Sequence, residues 1–138
     1  MKYRKNEIVN NTRVKAQFGI YAKKLDFDII SEMLSLKPTN LMLAENIKVK
    51  EFQEDGWEYI YGYEESTDIN IQVKKVILPF IDKTEDIKYI CNMFNANIQL
   101  SVLIRAKSRK YYPYLALNGE NIRRMAELNV DLFDIDIF

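Results

Sequence analysis

Asn97-Ile98-Gln99-Leu100-Ser101-Val102-Leu103-Ile104-Arg105-Ala106 is the stretch from which the fold is read. Ile98, Leu100, Val102 and Ile104 alternate with Asn97, Gln99, Ser101 and Arg105. An extended chain points successive side chains to opposite faces, so the pattern predicts a strand with one face in a core. Three of the four apolar positions are β-branched, which suits a pleated surface. Leu103 interrupts the polar side, which implies that this second face is also partly covered. A long helical segment leads in and a tyrosine-rich stretch leads out. The segment is therefore expected at the centre of a sheet.

Upstream, Ile87, Ile90, Cys91 and Phe94 recur at helical spacing, and Asn95 closes that helix. Asp82 with Glu85 is read as a variant capping box at its start. Before it, Ile69, Val73, Val76, Ile77, Phe80 and Ile81 form an apolar stripe that Ser66-Thr67-Asp68 can cap. Pro79 lacks a backbone donor and should kink or end this helix near Leu78. Further back, Trp57, Tyr59, Tyr61 and Tyr63 fall on one side of a strand, with Glu58, Ile60, Gly62 and Glu64 on the other. Glu54-Asp55-Gly56 is a turn signal. Ile47 and Val49 alternate with Lys48 and Lys50, so the two segments are expected to form a hairpin; Leu41 to Ala44 is ambiguous. Val14, Ala16, Phe18 and Ile20 mark a first strand. Asp26 is placed to cap a helix carrying Ile29, Ile30, Met33 and Leu34, which Pro38 stops near Leu36.

Downstream, Tyr111 to Leu117 reads as a strand whose Pro113 puts it at an edge or bulge. Asn118 can cap a last helix with Ile122, Met125 and Ala126 that ends near Asn129. In the closing strand Phe133, Ile135 and Ile137 share one face. The order is strand, helix, hairpin, helix pair, strand, strand, helix, strand. It predicts an α+β domain of two layers, a largely antiparallel sheet with helices packed on one face. A ferredoxin-like variant is one such arrangement. Residues 13–138 are expected to form this single domain, with residues 1–12 as a flexible N-terminal arm.

The chain has 138 residues, 48% of them hydrophobic and 29% charged, which suits one globular domain and not a disordered chain. Twenty basic and twenty acidic residues cancel. There is no broad positive field to attract nucleic acid, so a dedicated DNA binder is disfavoured. There is no histidine, which removes Ser-His and Cys-His pairs and the usual zinc sites. The four glycines are isolated, so no phosphate loop is present. Cys91 has no disulfide partner and is expected to be a small buried side chain. No apolar run is long enough for a bilayer span or a signal peptide, and a cytoplasmic location is expected.

The order of several motifs resembles a bacterial family, the domain of unknown function 4279. Phe18-Gly19-Ile20-Tyr21 lies in the first strand, and Asp26 and Asp28 open the helix that follows. Leu34, Leu36, Pro38 and Thr39 close that helix. A single Trp57 opens a strand before the long helix. The chain finishes on a helix and a strand from Leu132 to Phe138, with Asp136 in the penultimate acidic position. The segment from Asn46 to Asp55 is longer than the family pattern, and the glycine after Pro-Thr is missing, which leaves the pairing of the first hairpin open. The resemblance implies a small bacterial cytosolic domain with no catalytic residues to carry over. By analogy of type, some small bacterial families act as immunity proteins against toxins.

Candidate sites are accordingly surfaces. Trp57, Tyr59, Tyr61 and Tyr63 are expected to pack under a helix as core; if the strand face is exposed instead they are aromatic anchors, with Glu64 and Glu65 at the rim. Arg105, Lys107, Arg109 and Lys110 beside Tyr111 and Tyr112 form a basic, aromatic turn suited to an anionic protein surface, or to a single nucleic-acid strand. A sheet edge near Tyr111–Tyr114 is a candidate dimer contact. Asp131, Asp134 and Asp136 are the best carboxylate cluster; they are expected to form the solvated face of the last strand with no metal, the alternative being a hard cation, since a strand points Asp134 and Asp136 the same way. The expected function is a non-catalytic protein-binding module, in its specific form an immunity-type protein that neutralises a bacterial toxin domain by occlusion. The alternatives are a metal-assisted enzyme using the C-terminal aspartates, or a weak single-strand nucleic-acid binder. No cofactor, membrane or nucleic-acid partner is expected.

Overall fold

The computed structural model describes residues 12–138. The expected N-terminal arm, save Thr12, lies outside the described residues. Strand β1 spans Arg13–Ala22, followed by helix α1 (Phe27–Leu34), a short strand β2 (Asn40–Met42) and strand β3 (Asp55–Glu65). Helices α2 (Ile69–Ile77) and α3 (Thr84–Phe94) lead to β4 (Asn97–Arg105), and helix α4 (Gly119–Glu127) leads to β5 (Val130–Ile137).

The five strands lie in the order β2-β3-β1-β4-β5. Every pairing is antiparallel except β4 with β5. The first four strands follow the split βαβ order of a ferredoxin-like sheet, and β5 extends it by a parallel strand. The middle of the sheet is therefore β1, not β4. Both are flanked on two sides, so alternation within one strand does not distinguish them.

Val14, Ala16, Phe18 and Ile20 of β1 and Ile98, Leu100, Val102 and Ile104 of β4 are fully buried in one core. Ile30 and Leu34 of α1, the α2 stripe, Ile87 and Ile90 of α3, and Met125 of α4 enter the same cluster. All four helices thus stand on one face of the sheet. Phe80 sits at the centre, stacked on Phe18 at 4.1 Å and met edge-on by Trp57 and Tyr59.

Local chemistry sets the helix ends. The Asp26 carboxylate accepts from the Ile29 amide at 3.1 Å, and Asn118 Oδ1 accepts from the Asn121 amide at 2.9 Å. α1 stops at Ser35 and α3 at Asn95, both in the left-handed region. Pro79 ends α2 as expected and opens a 3-10 turn at Leu78–Phe80. The expected Asp82 capping box does not form: α3 starts after Lys83, with no side-chain cap.

Three further expectations are corrected. Ile47 and Val49 are not in a strand; the chain there makes 3-10 turns at Ala44–Asn46 and Lys50–Phe52. The partner of β3 is instead Asn40–Met42, paired with Glu58, Trp57 and Gly56. Tyr111–Leu117 is not a strand. It makes a 3-10 turn and one bridge between Tyr114 and Asp68, because its partner is the entry to α2, where Ile69 N donates to Tyr114 O at 3.1 Å. In α4 the buried positions are Asn121 and Met125, while Ile122 is 52% exposed.

Candidate functional site

The face of the sheet opposite the helices carries Gln17, Tyr21, Gln99, Ser101 and Leu103, by strict alternation with the core residues of β1 and β4. Register adds Glu58 and Ile60 from β3, and Leu132, Asp134 and Asp136 from β5. None of the four helices covers it. Ile60 and Leu103 remain partly accessible and Leu132 is 53% exposed.

A polar cluster is built into one end of this face. Glu58 is only 4% exposed, yet its carboxylate is fully engaged. Tyr21 Oη donates to Oε2 at 2.5 Å, Gln17 Nε2 donates to the same oxygen at 2.7 Å, and Asn40 Nδ2 donates to Oε1 at 2.7 Å. A buried carboxylate persists only when donors replace its water, and these three do so. The cluster ties β2, β3 and β1 together. Burial, and then the bond and charge of Glu58, push the Tyr21 phenol well above its ordinary range. Tyr21 is held as a neutral donor.

The other end of the face is cationic. β3 carries a bulge where Gly62 and Tyr63 together oppose Lys15. The bulge turns Tyr63 away from the helices. Two cations lie over its ring, the Arg105 guanidinium carbon at 4.6 Å and the Lys15 ammonium at 5.0 Å from its centre. Arg13 lies directly opposite Arg105 on one side and Glu65 on the other, pairing with Glu65 at 3.7 Å. Arg13, Arg105, Ala106, Lys107 and Phe138 line a cleft of about 340 Å³.

The aromatic set expected on one side of the strand is thus divided. Trp57 is fully buried and its indole N–H donates to Ser31 Oγ at 3.0 Å, so it is a core residue and no contact surface. Tyr59 and Tyr61 also face the helices. Tyr63 alone reaches the uncovered face, because the bulge reverses the alternation after Tyr61. Glu64 likewise falls on the helix side, bound by Lys75 at 2.9 Å and Gln72 at 2.7 Å. Desolvation raises its pKa, but these donors outweigh it and hold the carboxyl below its ordinary value. Glu65 stays on the open side.

Arg109, Lys110 and Tyr111 form the 3-10 turn after β4, with both basic residues exposed. Thr12 Oγ1 donates to the Tyr111 carbonyl, which fastens the turn to the start of β1. Tyr111 and Tyr112 are half-buried there, and the Lys110 ammonium lies over the Tyr111 ring at 5.5 Å. They do not join Tyr63. The residues missed by sequence reasoning are Lys15, Gln17, Tyr21 and Arg13 of β1. The polar positions of the first strand were the available signal.

The carboxylates divide as well. Asp134 and Asp136 share the open face, opposite Ser101 and Leu103. Asp131 lies in the irregular register between Ile98 and Gln99, where its Oδ2 accepts from the Ile98 amide at 2.9 Å. Among the described residues no three carboxylates, cysteines or histidines are grouped to hold a metal ion. Cys91 is half-buried; desolvation, with the charge of Asp131, pushes its thiol up to about 11. It is a packing residue at neutral pH. On the helix layer, an open cleft of about 670 Å³ lies between the α1 entry, Leu41, Met93 and Phe94.

Among the described residues no helix is long and apolar enough to cross a membrane. A family model described as a domain of unknown function, DUF4279, matches residues 12–137. No curated protein and no solved structure matches the chain.

Proposed function

The chain belongs to the DUF4279 family, and from that premise we propose that it is a non-catalytic protein-binding module that works by occlusion. The observation that carries this reading is the helix-free sheet face, with Ile60, Tyr63, Leu103 and Leu132 at its surface. Apolar and aromatic side chains left on a sheet face are characteristic of contact surfaces. The apolar Leu103 implies a covered face, and among the described residues no helix supplies the cover. In this reading a partner supplies it.

Tyr63 is the anchor. Its ring is partly buried and already in contact with two cations. Arg105 lies against it, Lys107, Arg109 and Lys110 follow in the loop and 3-10 turn after β4, and these charges favour an acidic partner surface. Among the described residues none of these four makes an ion pair within the fold. The specific occupant we propose is a toxin domain of the source bacterium, masked stoichiometrically in the cytoplasm.

The test is capture from the source cell followed by mass spectrometry. Bait carrying Tyr63→Ala and Leu103→Glu together should lose the partner that wild type retains. Tyr89→Ala, at a 60% exposed position on α3, should retain it. Equal retention by all three baits, or no stoichiometric partner for any, refutes the reading.

A further inference from the structure

The register of β1 and β4 places two arginines opposite one another. Arg13 and Arg105 are direct cross-strand partners on the uncovered face. Like charges in that relation repel, and a sheet ordinarily avoids them. Among the described residues compensation is partial: Glu65 approaches Arg13 at 3.7 Å, a loose contact, and Arg105 stacks on Tyr63. Lys15 brings a further positive charge to the same ring.

This charge borders a concavity. The cleft of about 340 Å³ has Arg13, Arg105 and Lys107 as its polar members and Ala106 and Phe138 as its apolar ones. Phe138 is held there by backbone bonds, its N–H donating to Ile104 O at 2.9 Å and its carbonyl accepting from Ala106 N at 3.4 Å. Two arginines lining one cleft offer it several N–H donors, which suit the two oxygens of a carboxylate. The apolar wall suits the stem of the side chain that bears it.

We propose that this cleft is an oxyanion site that takes a carboxylate side chain from an acidic peptide segment, gripped by Arg13 and Arg105 with its stem against Phe138. The proposal rests on the reading of the face as a protein contact and names the chemistry its partner presents there. A nucleic-acid strand fits less well, since Asp134 and Asp136 share the face and would repel its phosphates along the sheet.

The experiment is an NMR titration of the full chain, following the Nε–H signals of Arg13 and Arg105. The probes are a blocked peptide of alternating glutamate and leucine, the same peptide with glutamine for glutamate, and inorganic phosphate. The glutamate peptide should shift both signals saturably, and the glutamine peptide should not. Arg105→Gln should weaken the binding roughly tenfold or more and leave the urea midpoint equal or higher, since it removes a like-charged neighbour. Arg13→Gln should weaken binding likewise.

A response to phosphate but not to the glutamate peptide overturns the carboxylate assignment. Absence of a saturable shift with either, or undiminished binding by both arginine variants, overturns the site. Partner capture through Tyr63 that survives both arginine variants would retain the binding-module reading and remove this site. Peptide binding with no partner captured would do the reverse.

Discussion

Gly19→Ala tests the polar cluster through a residue that makes no hydrogen bond in it. Among the described residues no glycine has a positive φ, so the backbone at Gly19 accepts an alanine. The obstacle is steric. A Cβ there would lie 2.3 Å from Tyr21 Cε2 and 2.3 Å from its hydroxyl oxygen. Tyr21 must swing away, and its bond to the buried Glu58 carboxylate breaks. A hydrogen bond to a charged group contributes about 1.5–3 kcal/mol. Replacing a strand glycine with alanine returns about 0.5–1 kcal/mol. The net loss is therefore about 0.5–2.5 kcal/mol, read as a lower urea midpoint with an unchanged slope. The double-mutant cycle is the sharper assay. With Tyr21→Ala already in place the clash is gone, and Gly19→Ala should be neutral or stabilising. A loss of about 1 kcal/mol or more in that background would refute the reasoning, because the strain would then lie elsewhere.

Asp131→Ala should cost about 1 kcal/mol by leaving the Ile98 amide without its acceptor, measured by urea unfolding. Because the pKa of Glu64 is lower in the folded chain, its contribution is present above 4.5, the ordinary value, and is lost as pH falls through the folded value. Lys75→Met should flatten that part of the acid limb in a series of urea midpoints between neutral and acidic pH. Cys91 should react with iodoacetamide about a hundredfold more slowly than the same thiol in the unfolded chain, since its pKa stands near 11 against an ordinary 9.0.

Much of the fold is legible where a signal is long and local. Four consecutive alternations mark β1 and β4 in the amino-acid sequence, and Asp26, Asn95, Asn118 and Pro79 set helix ends through chemistry confined to one turn. What escapes depends on distant partners. The alternation of Ile47 and Val49 covers too few residues to specify a strand, and β2 forms instead where Asn40 can reach Glu58. Tyr111 and Tyr112 have high strand propensity, yet the segment docks on the start of α2, where no ladder is available. The candidate surface differs from its expected outline for one reason. The four aromatics of β3 alternate faultlessly in sequence, and a bulge visible only in the pairing with β1 moves Tyr63 to the opposite face. That same shift creates the contact with Lys15 and Arg105, so the most informative part of the site is the least accessible to pattern.

The central claim is that a partner protein covers the helix-free face, and site-specific photo-cross-linking in the source cell addresses it directly. A benzophenone side chain at Ser101, in the middle of that face, should give one dominant cross-linked protein, and the same group at Tyr89 on the helix layer should give none. Cross-links from Tyr89 with silence at Ser101 would contradict the account.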